Sequence, residues 1–170
     1  MKKVIIMSDT HGLVHEITEI RDKHEADKVI HCGDSELYKE DTVLEGAIVV
    51  EGNCDQSHQF NNEEIIEIDG LRFYVTHGHL YQVKQQLMTL SYRASEMNAD
   101  IVCFGHSHIV YAEQDDHHLY INPGSVRFPR VPTIPTYVEL TIKHQEILWV
   151  LWSLEGEQVD SKVFQRRRYV

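Results

Sequence analysis

Short apolar runs punctuate this chain, and most are followed by a polar box that carries glycine. Lys2 to Met7 reads as a strand and ends in Ser8-Asp9-Thr10-His11-Gly12. Val14 to Glu25 has helical spacing through Ile17 and Ile20. Lys28 to His31 is again strand, closed by Cys32-Gly33-Asp34. Ser35 is placed to cap a helix through about Leu44. Ala47 to Val50 forms a third strand before Gly52-Asn53-Cys54-Asp55. Short strands alternating with helices predict parallel pairing through crossovers.

The second half changes character. Glu64 to Ile68 alternates, Asp69-Gly70 is a two-residue hairpin signal, and Leu71 to Thr76 is its partner, leading into His77-Gly78-His79. Val83 to Asn98 is the longest helical stretch, with Val83, Leu87, Leu90 and Ala94 on one face. Asp100 to Phe104 is a buried strand that delivers Gly105-His106-Ser107-His108. Hairpins follow around Asp115-Asp116-His117 and Lys143-His144-Gln145, and Val131 to Pro135 is loop. Glu155 to Val170 alternates around Val159, Val163 and Phe164, a strand for its own sheet or for a neighbouring subunit. With no repeat, linker or low-complexity stretch, residues 1–170 are expected to form one mixed α/β domain with a partly antiparallel sheet region.

Composition narrows the partners. The chain has 170 residues, 42% hydrophobic and 25% charged, the profile of an ordinary globular protein. A net charge of −11 argues against an extended grip on nucleic-acid backbone, which needs a basic face. Arg166 to Arg168 is the one dense basic stretch and reads as a solvated tail. The three cysteines form no C-x-x-C pair; Cys32 and Cys103 end apolar runs and read as buried thiols, which suits a reducing compartment. The apolar run after Met1-Lys2-Lys3 is too short for a secretion signal, and nothing approaches a membrane span, so the expected location is the cytoplasm.

The chemistry lies in the boxes. In open α/β sheets ligands gather beyond the carboxyl ends of strands, so five polar boxes delivered to one edge predict one shared site. In an extended Asp-x-His or His-x-His the outer side chains point the same way and reach one metal or two adjacent ones. Imidazole suits zinc, iron and nickel, and carboxylate and amide oxygens suit manganese; a site without thiolate argues for a hydrolytic ion over a structural zinc. Two divalent ions bring four positive charges. Asp9, Asp34 and a bound hydroxide remove three, leaving about one net positive charge for an anionic phosphodiester. Singly, each box reads as a surface loop or turn; all five, in order and each after a strand, point to one metal site.

That order, D-x-H, G-D, G-N, H and G-H-x-H, resembles the calcineurin-like metallophosphoesterases over about Met1 to Arg130. Asn122-Pro123-Gly124-Ser125 and the short length are similar to the small single-domain YfcE-like phosphodiesterases. The resemblance implies two mixed β-sheets packed face to face with flanking helices, a four-layer sandwich. It implies a dinuclear centre in which Asp9, His11 and His108 hold one ion, Asn53, His77 and His106 hold the other, and Asp34 bridges both. The ions are expected to be Mn2+, with Zn2+, Ni2+ or Fe as alternatives, and a bridging hydroxide is the expected nucleophile in in-line attack on a small phosphate ester.

The resemblance breaks at one point. The family's G-N-H-[ED] histidine, credited with protonating the leaving group, is Cys54. Asp34, Asn53, Cys54 and His79 are the candidates to act on the reacting groups. His31 reads as a supporting residue. His58, Arg127 and Arg130 are weighed as residues at the mouth of the site against plain loop residues, and the loop reading is preferred. His15, His24, His117, His118 and His144 read as surface. The subgroup often forms dimers or higher oligomers. Two alternatives stay open: a retromer-subunit-like interaction scaffold, disfavoured because all seven ligand positions carry competent residues, and a phosphatase or dinucleoside polyphosphate hydrolase of the same superfamily.

Overall fold

A computed structural model describes residues 1–167. The predicted strands form two mixed sheets. In the first, β1 (Lys2–Met7), β2 (Lys28–His31) and β3 (Ile48–Val49) are parallel. Three antiparallel strands, β9 (Thr136–Ile142), β10 (Glu146–Ser153) and β11 (Gln158–Gln165), extend the sheet from the other side of β1, in the order β11-β10-β9-β1-β2-β3. The second sheet contains β4 (Glu63–Ile68), β5 (Leu71–Thr76), β6 (Ile101–Cys103), β7 (Tyr111–Gln114) and β8 (Leu119–Asn122), in the order β4-β5-β6-β8-β7. Here β5, β6 and β8 are parallel, and β4 and β7 add antiparallel edges.

The apolar runs are continuous because both faces of the central strands are covered. In β1, Val4 and Ile6 enter the core between the sheets with Phe73 and Val75 of β5. Ile5 and Met7 point outward, onto Ile17 and Ile20 of α1 (His15–Lys23). On the second sheet Tyr74 and Val102 turn outward against Leu90 and Ala94 of α2 (Met88–Glu96). Helix, sheet, sheet and helix make the four layers that the resemblance anticipates. Among the described residues, no helix is long and apolar enough to cross a membrane.

Three expectations change. No α-helix forms between Ser35 and Leu44; only a 3-10 turn at Thr42–Leu44 is present. Glu36 sits at φ 53°, and Asp55 captures the backbone N–H groups of Asp34 (2.9 Å) and Glu36 (2.7 Å), which holds the segment open as a loop. The helix expected over Val83 to Asn98 is shorter, although Val83 and Leu87 keep their packing on its apolar side. The alternating C-terminal stretch pairs with β10 of its own sheet. Arg166 is not a free tail residue: it donates to the Asp69 carboxylate (2.9 Å) and the Lys143 carbonyl (2.7 Å), tying the end of β11 to the β4–β5 hairpin. Arg168 lies outside the described residues.

Candidate metal centre

The five boxes lie at the carboxyl ends of β1, β2, β3, β5 and β6, as expected, but they are not extended. Asp9 (φ 54°), His11 (43°), Asp34 (56°), His106 (69°) and His108 (57°) all occupy the left-handed region, which costs an L-residue about 1–2 kcal/mol each. These turns fold the chain ends inward, so convergence comes from left-handed backbone and not from strand alternation. Ladder-like hydrogen bonds hold the turns in place: Asp9 N–H to Gly33 (3.0 Å), His11 N–H to the Asp34 carbonyl (2.9 Å) and Gly105 N–H to the His77 carbonyl (3.0 Å).

Two groups of expected ligands result, beside a third cluster of His11, Glu36 and Cys54. Donor atoms of Asp9, His11 and His108 form one cluster, and those of Asp34, His77 and His106 form the other. Asn53 joins the second through its side-chain oxygen, 3.1 Å from His77 Nε2. The imidazoles are oriented from behind. His77 Nδ1 donates to the Cys32 carbonyl (2.7 Å) and His108 Nδ1 to the Phe128 carbonyl (2.7 Å). His11 Nδ1 is 2.5 Å from the Glu36 carboxylate. In the neutral rings the lone pair therefore sits on Nε2 and faces carboxylate oxygen: His108 lies 3.0 Å from Asp9 Oδ1, and His77 lies 3.2 Å from Asp34 Oδ2. His11 Nε2 is buried with no hydrogen-bond partner, 3.8 Å from Asp9 Oδ1 and 3.9 Å from Asp34 Oδ2.

The electrostatics say the same. Burial opposes the charge on Asp9, but His108 and the nearby His77 hold its carboxyl below the usual range. Asp34 goes the same way: burial is outweighed by His77 and by the Cys54 N–H (2.8 Å). His77 is buried, yet Asp34 and Asp9 raise its pKa. The site thus draws positive charge to the side where its nitrogen and oxygen atoms meet. Histidines farther from the carboxylates behave oppositely: burial, with His77 next, pushes His106 down to about 4. A divalent cation fits this donor set, and imidazoles braced by carbonyl or carboxylate partners are the usual form of metal-binding histidine.

Several neighbours have bracing roles that the motifs alone do not assign. Glu36 carries no motif, yet it positions His11 from a left-handed loop residue. Asp55 accepts from Gly52 as well as Asp34 and Glu36 and so locks the second box to the third. Ser8 donates to Asp9 Oδ2 (2.5 Å). The Asn122-Pro123-Gly124-Ser125 turn braces two boxes: Ser125 donates to the Asp9 carbonyl (2.8 Å) and Asn122 to Gly105 (3.1 Å) and Ser107 (3.0 Å). Ser8, Asp55 and the turn stand inside motifs visible in the sequence, whereas Glu36 left no signal.

The remaining candidates divide. His31 is buried, accepts from Gly33 N–H (3.1 Å) at Nδ1 and meets Thr10 Oγ1 (2.9 Å) at Nε2, the supporting role expected. His79 stands beside His77 and His106, with ring centroids 5.4 and 6.1 Å away and a buried Nδ1 lacking a partner. Arg127 donates to the His11 carbonyl, and Arg130 N–H donates to the His108 carbonyl (3.0 Å), so both border the site. His58 lines a separate cavity with Lys39 and Glu64. Two of the surface histidines are not at the surface. His24 lies between Glu139 (2.8 Å) and Tyr137 (2.8 Å) of β9, and His118 is buried against the Ala99 carbonyl (2.8 Å) just beyond α2.

Comparison with known proteins bears on this arrangement. Residues 1–145 match the calcineurin-like phosphoesterase superfamily domain. The probable metallophosphoesterase YsnB of Bacillus subtilis is 43% identical, covering 92% of this chain and 94% of its own. A phosphodiesterase of Methanocaldococcus jannaschii is 34% identical over 72% of this chain and 82% of its own. A solved structure from Streptococcus pneumoniae, a conserved uncharacterized protein and predicted phosphoesterase, is 32% identical, with a TM-score of 0.92 over 97% of this chain and 98% of its own. Wild-type Vps29 of Entamoeba histolytica, complexed with zinc, shares the fold at 20% identity, with a TM-score of 0.76 over 96% of this chain and 98% of its own.

Close packing behind the centre is directly testable. A Cβ on Gly105 would lie 2.1 Å from Ser8 Oγ and 2.6 Å from Asp9 Oδ2. Gly105→Ala is expected to displace Asp9 and to lower stability by about 1–3 kcal/mol in chemical denaturation. An unchanged denaturation midpoint would show that the packing is looser than described.

Proposed function

The chain belongs to the calcineurin-like phosphoesterase superfamily, and from that premise we propose that it is a metal-dependent phosphodiesterase with a dinuclear centre. Asp9, His11 and His108 would hold one divalent ion and Asn53, His77 and His106 the other, with Asp34 shared. The observation that carries this reading is the set of Nε2 atoms on His11, His77 and His108 turned toward carboxylates, with every Nδ1 already engaged elsewhere. Without positive charge between them these atoms repel one another. When bound, two such ions acidify a shared water and draw the phosphoryl oxygens into line. The mixed oxygen and imidazole donors favour Mn2+, with Zn2+, Ni2+ and Fe as competitors.

The chain's own residues set the rest. Arg127, Arg130 and Lys84 supply positive charge around the site, and His79 faces it with an unpartnered nitrogen. Cys54 stands where the superfamily pattern has a proton-donating histidine. Burial and the Asp34 carboxylate push its thiol up to about 11, so it is protonated at neutral pH but gives up its proton reluctantly. The leaving group must therefore carry much of its own charge. The buried Cys32 and Cys103 and the exposed thiol of Cys54 fit a reducing compartment, the cytoplasm. A pure interaction scaffold would have no need for five strained ligand positions, which favours the enzyme.

Two measurements test this. Elemental analysis together with Mn2+-stimulated hydrolysis of an aryl phosphodiester is expected to show two ions per chain and turnover in wild type. In Asn53→Ala the rate should fall by at least about 100-fold, the upper end of what losing a supporting metal-site partner costs. A metal-free, inactive wild type would favour the scaffold, and an unimpaired Asn53→Ala would remove that ligand. Aryl phosphodiesters should also be cut far faster than dialkyl ones, and Cys54→His should narrow the gap; equal wild-type rates would refute the role given to Cys54.

A further inference from the structure

A cavity of about 220 Å³ opens beside the candidate centre, on the side of the His106-Ser107-His108 loop. Val83, Leu87, Phe104, Ile109 and Tyr111 give it apolar walls, and Lys84 and Arg130 add two cations. The walls adjoin the centre through residues next to its ligands. Ser107, which lines the cavity, is the residue between His106 and His108. Arg130 is anchored to the His108 carbonyl, and Val83 packs within 2.8 Å of where a Gly78 Cβ would stand, directly beside His77 and His79. Among the described residues no ion pair engages either cation, although the chain has 27 acidic and 16 basic residues.

We propose that this cavity receives one flat aromatic ring, carried on the ester arm that stays with phosphorus, while Lys84 and Arg130 hold the phosphate oxygens. This rests on the phosphodiesterase reading above. Size supports it: an apolar cavity of about 150 Å³ takes up benzene, so this one has room for a ring and little more. Shape supports it as well. The Phe104 and Tyr111 rings stand 6.3 Å apart at 54°, a tilted corner that offers a third ring both an edge and a face. Phe104 forms a buried floor, whereas Ile109 and Tyr111 are 41% and 37% exposed at the lip. Cys54 groups instead with His11 and Glu36, so the leaving arm departs there and the cavity is left to the retained arm.

The test holds the leaving group constant. Metal-loaded protein is assayed with p-nitrophenyl phenyl phosphate and p-nitrophenyl ethyl phosphate, and binding of phenylphosphonate and methylphosphonate is measured by calorimetry. The phenyl ester is expected to have a KM about tenfold lower, from burial of the ring. Tyr111→Ala and, separately, Ile109→Ala should shrink that ratio below about threefold; both side chains are at the lip, and thermal melting checks that the variants fold. Lys84→Ala combined with Arg130→Ala should raise KM for both esters. Equal KM values in wild type, or a ratio that survives both lip variants, would overturn the proposal. Turnover without phenyl preference would remove the pocket and leave the hydrolase. Tyr111-dependent preference for phenylphosphonate without turnover would keep the pocket and remove the hydrolase, and absence of both would remove both. A p-nitrophenyl ester of thymidine 5′-phosphate that matches the phenyl ester assigns the ring to a nucleobase; one that matches the ethyl ester assigns it to a simple aryl group.

Discussion

The convergence of imidazole nitrogens and carboxylate oxygens on one buried spot is the constraint around which this structure is organised. Three imidazoles engage Nδ1 with oxygens behind them and turn Nε2 toward two buried aspartates. A buried arrangement of that kind is unfavourable unless positive charge sits at its centre. The strain around it points the same way. Left-handed backbone at Asp9, His11, Asp34, His106 and His108 persists only where surrounding contacts over-determine it, and such strain collects at functional sites. Ser8, Asp55, Asn122 and Ser125 supply those contacts.

The two sheets meet at this point. Asp9, His11, Asp34 and Asn53 come from the first sheet, and His77, His106 and His108 from the second. Each of the two clusters takes residues from both. Cations held there would bridge the edges of the sandwich, so ligand geometry and sheet packing stand or fall together. Substitutions that shift one sheet against the other should therefore reach the chemistry without touching a ligand.

Much of this was legible from the chain alone. The strands were readable because runs such as Val4 to Met7 are buried on both faces, and the boxes because each follows such a run. What stayed hidden depends on contacts distant in sequence. Ser35 to Leu44 looks helical by its local signals, yet Asp55, some twenty residues on, holds its first turn open. Glu36 resembles any exposed glutamate until a left-handed φ swings it onto His11. His24 and His118 are covered by partners such as Tyr137 and Ala99 that no local pattern pairs with them. The left-handed ligand turns were hidden for a different reason: Asp-x-His and His-x-His satisfy an extended reading equally well, and only the packing between the sheets distinguishes the two.

The central claim is that Asp34 joins two cation sites into one centre, and electron paramagnetic resonance of the protein titrated with Mn2+ tests it most directly. Ions about 3.5–4 Å apart couple their spins. At two equivalents the account predicts the multiline spectrum of a coupled pair, reverting to isolated-ion signals in Asp34→Ala. A spectrum of isolated Mn2+ alone at full loading of the wild-type protein would contradict it.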